Sequence, residues 1–255
     1  MRMVLEQFSL EGKVALVTGS SRGLGEGIAR ALAQAGADVA VHGSRSVPAK
    51  VVAQIEELGV RSLGLVGDVS RPEVCASLVE QVAGHFGILD ILVNNAGTIR
   101  RAPALEHSDE DWQTVIDTNL SSVFHLTKAA GRHMVPRGSG KIINIASLLT
   151  FQGGITVPSY AAAKGGVGQL TKAFANEWAA KGVNVNAIAP GYMETDNTEA
   201  LRANPDRSRQ ILERIPAGRW GTPEDLAGAA VFLASRASDY IHGHVLVVDG
   251  GWLSR

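Results

Sequence analysis

The chain has 255 residues, 24 of them basic and 25 acidic, with a formal net charge of −1. That balance gives no electrostatic ground for a nucleic-acid or anionic-membrane partner, and no apolar run approaches the length of a spanning helix. The N-terminal stretch MRMVLEQFSLEGK has neither an extended apolar region nor a small-residue cleavage site, and Cys75 is the only cysteine. The reading is a cytoplasmic protein without a disulfide or a cysteine-held zinc, with Cys75 a small semi-buried apolar residue.

Short β-branched runs alternate with stretches of helical period. KVALVT (13–18) reads as a buried strand, after which Leu24, Ile28, Ala31, Leu32 and Ala35 recur at helical spacing up to Gly36. DVAVHG (38–43) is a second strand, followed by a helix marked by Val51, Ile55 and Leu58 and ended by Gly59. RSLGLVGD (61–68) is a third, and Val74, Leu78, Val82 and Phe86 step along the next helix. LDILVNNAG (89–97) is a fourth strand, and a long helix covers about Asp109 to Met134. GKIINIAS (140–147) is a fifth, followed by a helix that Pro158 opens. VNVNAIAPG (183–191) is a sixth, and a helix from about Pro223 leads to the seventh, HVLVVDGG (244–251). Such alternation implies one α/β domain over 1–255, with a doubly wound, mostly parallel seven-stranded sheet and helices on both faces. The segment 192–221 is polar, charged and broken by Pro205 and Pro216. It reads as a long irregular insertion, hence a substrate loop or lid.

Between the first strand and the first helix stands TGSSRGLG (18–25). Glycines here let the backbone turn sharply against a pyrophosphate, while the free N–H groups and positive end of the helix face it. The spacing, G-x-x-x-G-x-G, is joined by NNAG (94–97), by Tyr160-x-x-x-Lys164, by Ser147 thirteen residues before that tyrosine, by PGYMET (190–195) and by VDGG (248–251). With these motifs, from about Gly12 to Gly251, the chain resembles the short-chain dehydrogenase/reductase family, whose members have a single-domain Rossmann fold.

The resemblance implies hydride transfer between a nicotinamide cofactor and a secondary alcohol or ketone. It implies Tyr160 as the proton-transferring group and Ser147 as the donor to the substrate oxygen. Lys164, one helical turn from Tyr160, would lower the phenol pKa and hold the nicotinamide ribose. Asn119 would support a water leading protons to that lysine; the alternative is a helix-interior amide satisfied by backbone. For the cofactor the resemblance implies Gly19, Ser21, Arg22, Gly23, Leu24 and Gly25 in the glycine loop, Asp68 and Val69 at the adenine, and Asn95, Ala96 and Gly97 at the ribose. Pro190, Gly191, Met193 and Thr195 would hold the carboxamide. Asp68 has the alternative reading of a strand-end cap.

An NAD enzyme places an acid at the end of the second strand, to bind the ribose 2′-hydroxyl. That position here is Gly43, followed by Ser44 and Arg45, with Arg22 in the glycine loop. Arginine suits a 2′-phosphate, so NADP is the expected cofactor, with NAD possible. The seven histidines show no metal-ligand spacing, and no catalytic metal is expected. The last helix carries Leu226, Ala229, Ala230 and Leu233 on one side and the last strand is apolar. The resemblance implies a homotetramer that pairs through these elements, or a dimer as second choice.

Loop residues point to a sugar-acid branch of the family. Arg101, Gln152, Asn197, Trp220 and Trp252 are the candidate substrate residues: a guanidinium for a carboxylate, amides for hydroxyls, indoles as flat walls. That branch usually carries an NAD pattern at the second strand, and this chain departs from it there. Between Glu194 and Arg219 five acids match five arginines, so the segment reads as no cationic funnel, its arginines solvated or paired. The alternatives are oxidation of gluconate itself, reduction of a 3-oxoacyl thioester on an acyl carrier protein, and, in another class, an inactive cofactor-binding regulator.

Overall fold

The architecture follows from the distribution of buried residues along each strand. In a computed structural model, which describes residues 3–255, β1 (Val14–Val17) is buried throughout, as a central strand covered on both faces must be. Then come α1 (Gly23–Gln34), β2 (Asp38–Gly43), α2 (Ala49–Glu56), β3 (Ser62–Val66), α3 (Pro72–Phe86) and β4 (Ile91–Asn94). α4 (Asp109–Ile116), α5 (Ser122–Arg137), β5 (Gly140–Ile145), α6 (Pro158–Trp178) and β6 (Val183–Pro190) follow. The chain closes with α7 (Glu199–Arg202), α8 (Pro205–Leu212), α9 (Ala227–Ala234) and β7 (Val245–Val248). The seven strands form one sheet in the order β3-β2-β1-β4-β5-β6-β7, and every pairing is parallel. One face packs against α1, α2 and α9, the other against α3, α5 and α6.

The order reverses between β1 and β4. Their carboxyl ends diverge there into loops, and the crevice between them is where such a sheet binds a ligand. A buried amide chain fixes this edge: the Asn94 amide donates to Asn144 Oδ1 at 2.8 Å, and the Asn144 amide donates to Thr171 Oγ1 at 2.9 Å. It ties β4 to β5 and β5 to α6, the helix that carries Tyr160 and Lys164.

Two expectations need correction. The helix expected from Asp109 is interrupted by a π-turn over Asp117–Ser121. Within it the Asn119 amide donates to the Val115 carbonyl at 2.9 Å and the Ser122 hydroxyl to the Thr118 carbonyl at 2.6 Å, side chains taking carbonyls four residues back. The insertion at 192–221 is not irregular: it holds α7 and α8. The signal for α8 was in the sequence, since Asn204 accepts from the Arg207 N–H as an N-cap and Pro205 sits in the first turn.

Candidate active site

The glycine loop is built by close approach. Gly19 adopts φ +63°, and a Cβ there would lie 2.8 Å from the Ala96 Cα. A Cβ on Gly25 would lie 2.4 Å from both the Gly19 carbonyl oxygen and Asn95 Nδ2. The Asn95 amide donates to the carbonyls of Thr18 and Gly19, and Thr18 Oγ1 accepts from the N–H groups of Asn95 and Ala96. Gly19, Gly25, Asn95 and Ala96 therefore form one cradle at the N-terminus of α1, which Gly23 and Leu24 open, with Ser21 exposed on its rim and Gly97 beyond it against Asn119. Arg22, exposed, pairs with Asp196 at 2.9 Å, linking the loop to the 192–221 segment. Thr195 faces Gly23: a Cβ there would be 3.8 Å from Thr195 Cγ2.

A residue that the sequence reading left out organises this cradle. His42 is 1% exposed. Its Nδ1 accepts from the Gly19 N–H at 3.1 Å, and its Nε2 donates to the Gly67 carbonyl at 2.9 Å. Its backbone exchanges two bonds with Ser20, N–H to Oγ and carbonyl to N–H, both at 2.9 Å. Burial pushes its pKa below the ordinary 6.5, against the pull of the Gly67 bond and of Asp68, so the ring is neutral. The available signal was a polar residue one step before the strand end that faces the glycine loop.

At Gly43 the chain folds over itself: a Cβ would lie 2.3 Å from the Ser46 carbonyl oxygen. An acid there requires the turn to move, so the missing carboxylate is part of the local shape. Ser44 and Arg45 are exposed just beyond it. Asp68 is exposed and accepts from the Ser70 N–H at 3.0 Å, the strand-end cap that was its alternative reading. Val69 is buried with its carbonyl bonded to the Cys75 thiol, and burial pushes that thiol up to about 12, an inert apolar residue.

Tyr160 and Lys164 lie in the first turns of α6, opened by Pro158. Tyr160 shares the cavity wall with Ser147, which stands just past the end of β5. Burial pushes the phenol up, offset by Ser147 and by the charge of Arg101. Lys164 is 4% exposed; its Nζ donates to the Ile145 carbonyl at 2.5 Å and stands 5.6 Å from the Tyr160 ring centroid. Burial pushes its pKa down to about 8. Arg101 and Lys164 both stand where a cation favours the phenolate. The Asn119 side chain is consumed by backbone: it donates to the Thr98 and Val115 carbonyls, both at 2.9 Å, and accepts from the Thr98 N–H at 3.2 Å. It braces the loop after β4, the backbone-satisfied amide that was its alternative reading.

Tyr160 and Ser147 open into a cavity of about 760 Å³. Arg101, Gln152, Pro190, Gly191 and Trp252 line it, as do Arg207 and Arg214. Met193 is buried beside this wall, bridged to Gly221. Trp220 is not a cavity wall: it is buried edge-on against Tyr192, 5.6 Å between ring centroids, because the cavity side is taken by Tyr192 and Trp252. The Asn197 side chain lies outside the described residues. The arginines of 194–219 are paired or exposed, as expected, but their charges are sorted in space. Asp196 turns to Arg22, and Asp206 and Glu213 to Arg209, so arginines remain on the cavity wall without a carboxylate among the described lining residues.

Among the described residues no group of three or more His, Cys, Asp or Glu is placed to hold a metal ion, and no helix is long and apolar enough to cross a membrane.

Residues 19–253 match the family model described as enoyl-(acyl carrier protein) reductase. The chain is 58% identical over 254 residues to the 2-dehydro-3-deoxy-D-gluconate 5-dehydrogenase of Pseudoalteromonas atlantica, covering 99% of this chain and 100% of the relative. It is 55% identical over 255 residues to the enzyme of the same name from Escherichia coli, again with 99% and 100% covered. Among solved structures, the gluconate 5-dehydrogenase of Burkholderia cenocepacia, in complex with NADP and tartrate, has a TM-score of 0.96 at 41% identity, covering 99% of this chain and 100% of that one.

Proposed function

Since the chain belongs to the short-chain dehydrogenase/reductase family, we propose that it interconverts a secondary alcohol and a ketone on a six-carbon sugar acid, 2-dehydro-3-deoxy-D-gluconate or 2-deoxy-D-gluconate, with NADP(H) preferred over NAD(H). The observation that carries this reading is the cavity itself. Tyr160 and Ser147 stand at it, Arg101 from the loop after β4 and Arg207 and Arg214 from the α8 region line it, and no carboxylate does among the described residues. Such a cavity fits an anionic, hydroxyl-rich substrate. The names of the close relatives support the same substrate class.

The residues present fit a dinucleotide. The cradle of Gly19 and Gly25 is a space that a Cβ would fill, at a helix N-terminus suited to a pyrophosphate. An acid at position 43 would require its turn to move, and Ser44 and Arg45, with Arg22 once it leaves Asp196, are the groups available to a 2′-phosphate. The bound nicotinamide supplies or accepts the hydride. Asp68 and Val69 serve the adenine end, and Pro190, Gly191, Met193 and Thr195 the carboxamide end. Tyr160 gives the proton to the substrate oxygen in reduction and takes it in oxidation; Ser147 donates a hydrogen bond to the same oxygen. Lys164, with its pKa at about 8, is poised to exchange protons near neutral pH and to hold ribose hydroxyls. Asn119 acts by bracing Thr98 and the π-turn.

The 192–221 segment acts as a lid, supported by its two short helices and by the Arg22–Asp196 link to the glycine loop. The protein assembles as a homotetramer in the cytoplasm. β7 is an edge strand whose four residues are half-buried, next to partly buried Ala229, Val231 and Phe232 of α9. Light scattering that gave a monomer at micromolar concentration would refute the assembly. The activity is tested by a panel of sugar acids, polyols and 3-oxoacyl thioesters assayed with both cofactors. Turnover of a sugar acid with higher kcat/KM for NADP(H) is expected; turnover of thioesters with none on any sugar acid would overturn the assignment.

A further inference from the structure

We propose that the substrate carboxylate is held at the α8 end of the cavity, by Arg214 assisted by Arg207, while Arg101 serves the reacting oxygen. The inference rests on the sugar-acid reading and assigns the two ends of that substrate. Among the described residues, no carboxylate is within ion-pair distance of Arg207 or Arg214, because Asp206 and Glu213 are drawn to Arg209 on the outer side of α8. Arg207 Nη1 donates to Gln210 Oε1 at 3.2 Å, which steers its guanidinium.

Arg214 is held at its guanidinium and at its backbone. Its guanidinium carbon lies 4.0 Å from the centroid of the Trp252 ring. Trp252 is itself buried against Tyr192, 4.6 Å between ring centroids. The carbonyls of Glu213 and Arg214 accept from the guanidinium of Arg255, which fixes the backbone on which Arg214 stands. A guanidinium stacked on an indole keeps its N–H donors in the ring-parallel plane, directed sideways, which is the geometry for a two-point bond to a carboxylate. Arg101 lines the same cavity as Ser147 and Tyr160, and its charge acts on the phenol. A sugar acid oxidised at carbon five carries its carboxylate at the opposite end of the carbon chain from the reacting hydroxyl. One arginine therefore cannot serve both ends, and the cavity supplies separate ones.

The test compares Arg214→Met and Arg101→Met on 2-dehydro-3-deoxy-D-gluconate and on its uncharged C1 carboxamide. Arg214→Met is expected to raise KM for the acid roughly ten- to hundredfold, the range of one charged hydrogen-bonding interaction, and far less for the amide, with the pH profile of kcat in place. Arg214→Lys should recover part of the loss, since it restores charge without the fork. Arg101→Met is expected to lower kcat for acid and amide alike and to move the pH midpoint of kcat upward. An equal rise in KM for acid and amide in Arg214→Met would mean a structural role and overturn the inference. So would a rise selective for the acid in Arg101→Met alone. Wild-type protein that turned over no sugar acid would overturn the sugar-acid reading, and this inference with it.

Discussion

His42 offers the sharpest test of how the cofactor cradle is built. Replacing it with leucine fills the volume but strands two groups at once, the Gly19 N–H and the Gly67 carbonyl. Both groups are half-buried, so each lost partner costs toward the low end of about 1–3 kcal/mol, and His42→Leu should lower the unfolding free energy by roughly 2–3 kcal/mol. His42→Asn can keep an acceptor near the Nδ1 position and lose only the Gly67 bond, for about half that loss. Part of the cost reappears in binding, because a loose Gly19 must be ordered before it can cradle a pyrophosphate; about 1.4–2.8 kcal/mol of this would weaken NADPH ten- to hundredfold. The imidazole also adds a slope with pH. Its folded pKa lies below the ordinary 6.5, so the unfolded chain binds the proton more readily. Its contribution is present above about 6.5 and is lost as pH falls through the lower folded value, when Nδ1 becomes a donor facing the Gly19 N–H. Urea unfolding and NADPH fluorescence titrations from pH 5 to 8 read both effects. A leucine variant that bound NADPH within threefold of wild type, or that kept the wild-type loss of affinity toward pH 5, would refute the reasoning.

Lys164→Met should abolish turnover and yet stabilise the fold at pH 7, because it removes a cation whose burial pushes its pKa from 10.5 to about 8. The unfolded chain keeps that proton between pH 8 and 10.5, so wild-type stability gains up to roughly 3 kcal/mol across this window, and the variant's advantage should shrink there in thermal melts. Gly43→Asp is expected to lower kcat/KM with NADP at least tenfold without raising it with NAD, since the new Cβ meets the Ser46 carbonyl rather than a ribose. Arg45→Ala should weaken NADP selectively in paired titrations of the two cofactors.

The strands, their order of appearance and the motif residues were legible because parallel, doubly covered strands must be near-continuous apolar runs, and because the glycine loop needs its spacing. The π-turn was not legible. Its cause is the Asn119 amide reaching back to Val115, and the period-3.6 pattern on either side runs through it unbroken. His42 escaped notice for a related reason. Its partners, Gly19 and Gly67, are 23 and 25 residues away and contribute backbone groups, which carry no sequence signature.

The substrate end shows where the sequence reading stopped, and why. Counted along the chain, five acids cancel five arginines between residues 194 and 219. In space the cancellation is selective, because a helix decides which side each charge takes. Asp206, Arg209 and Glu213 stand at helical spacings of three and four, so they pair with one another on one face of α8. Arg207 on α8 and Arg214 in the turn that follows it line the cavity instead. The same rule was available from the sequence once residues 205–212 were taken as a helix, and the N-cap Asn204 with Pro205 was the signal for it. Reading that segment as irregular removed the periodicity that sorts its charges, and with it the cationic wall that favours an acidic substrate.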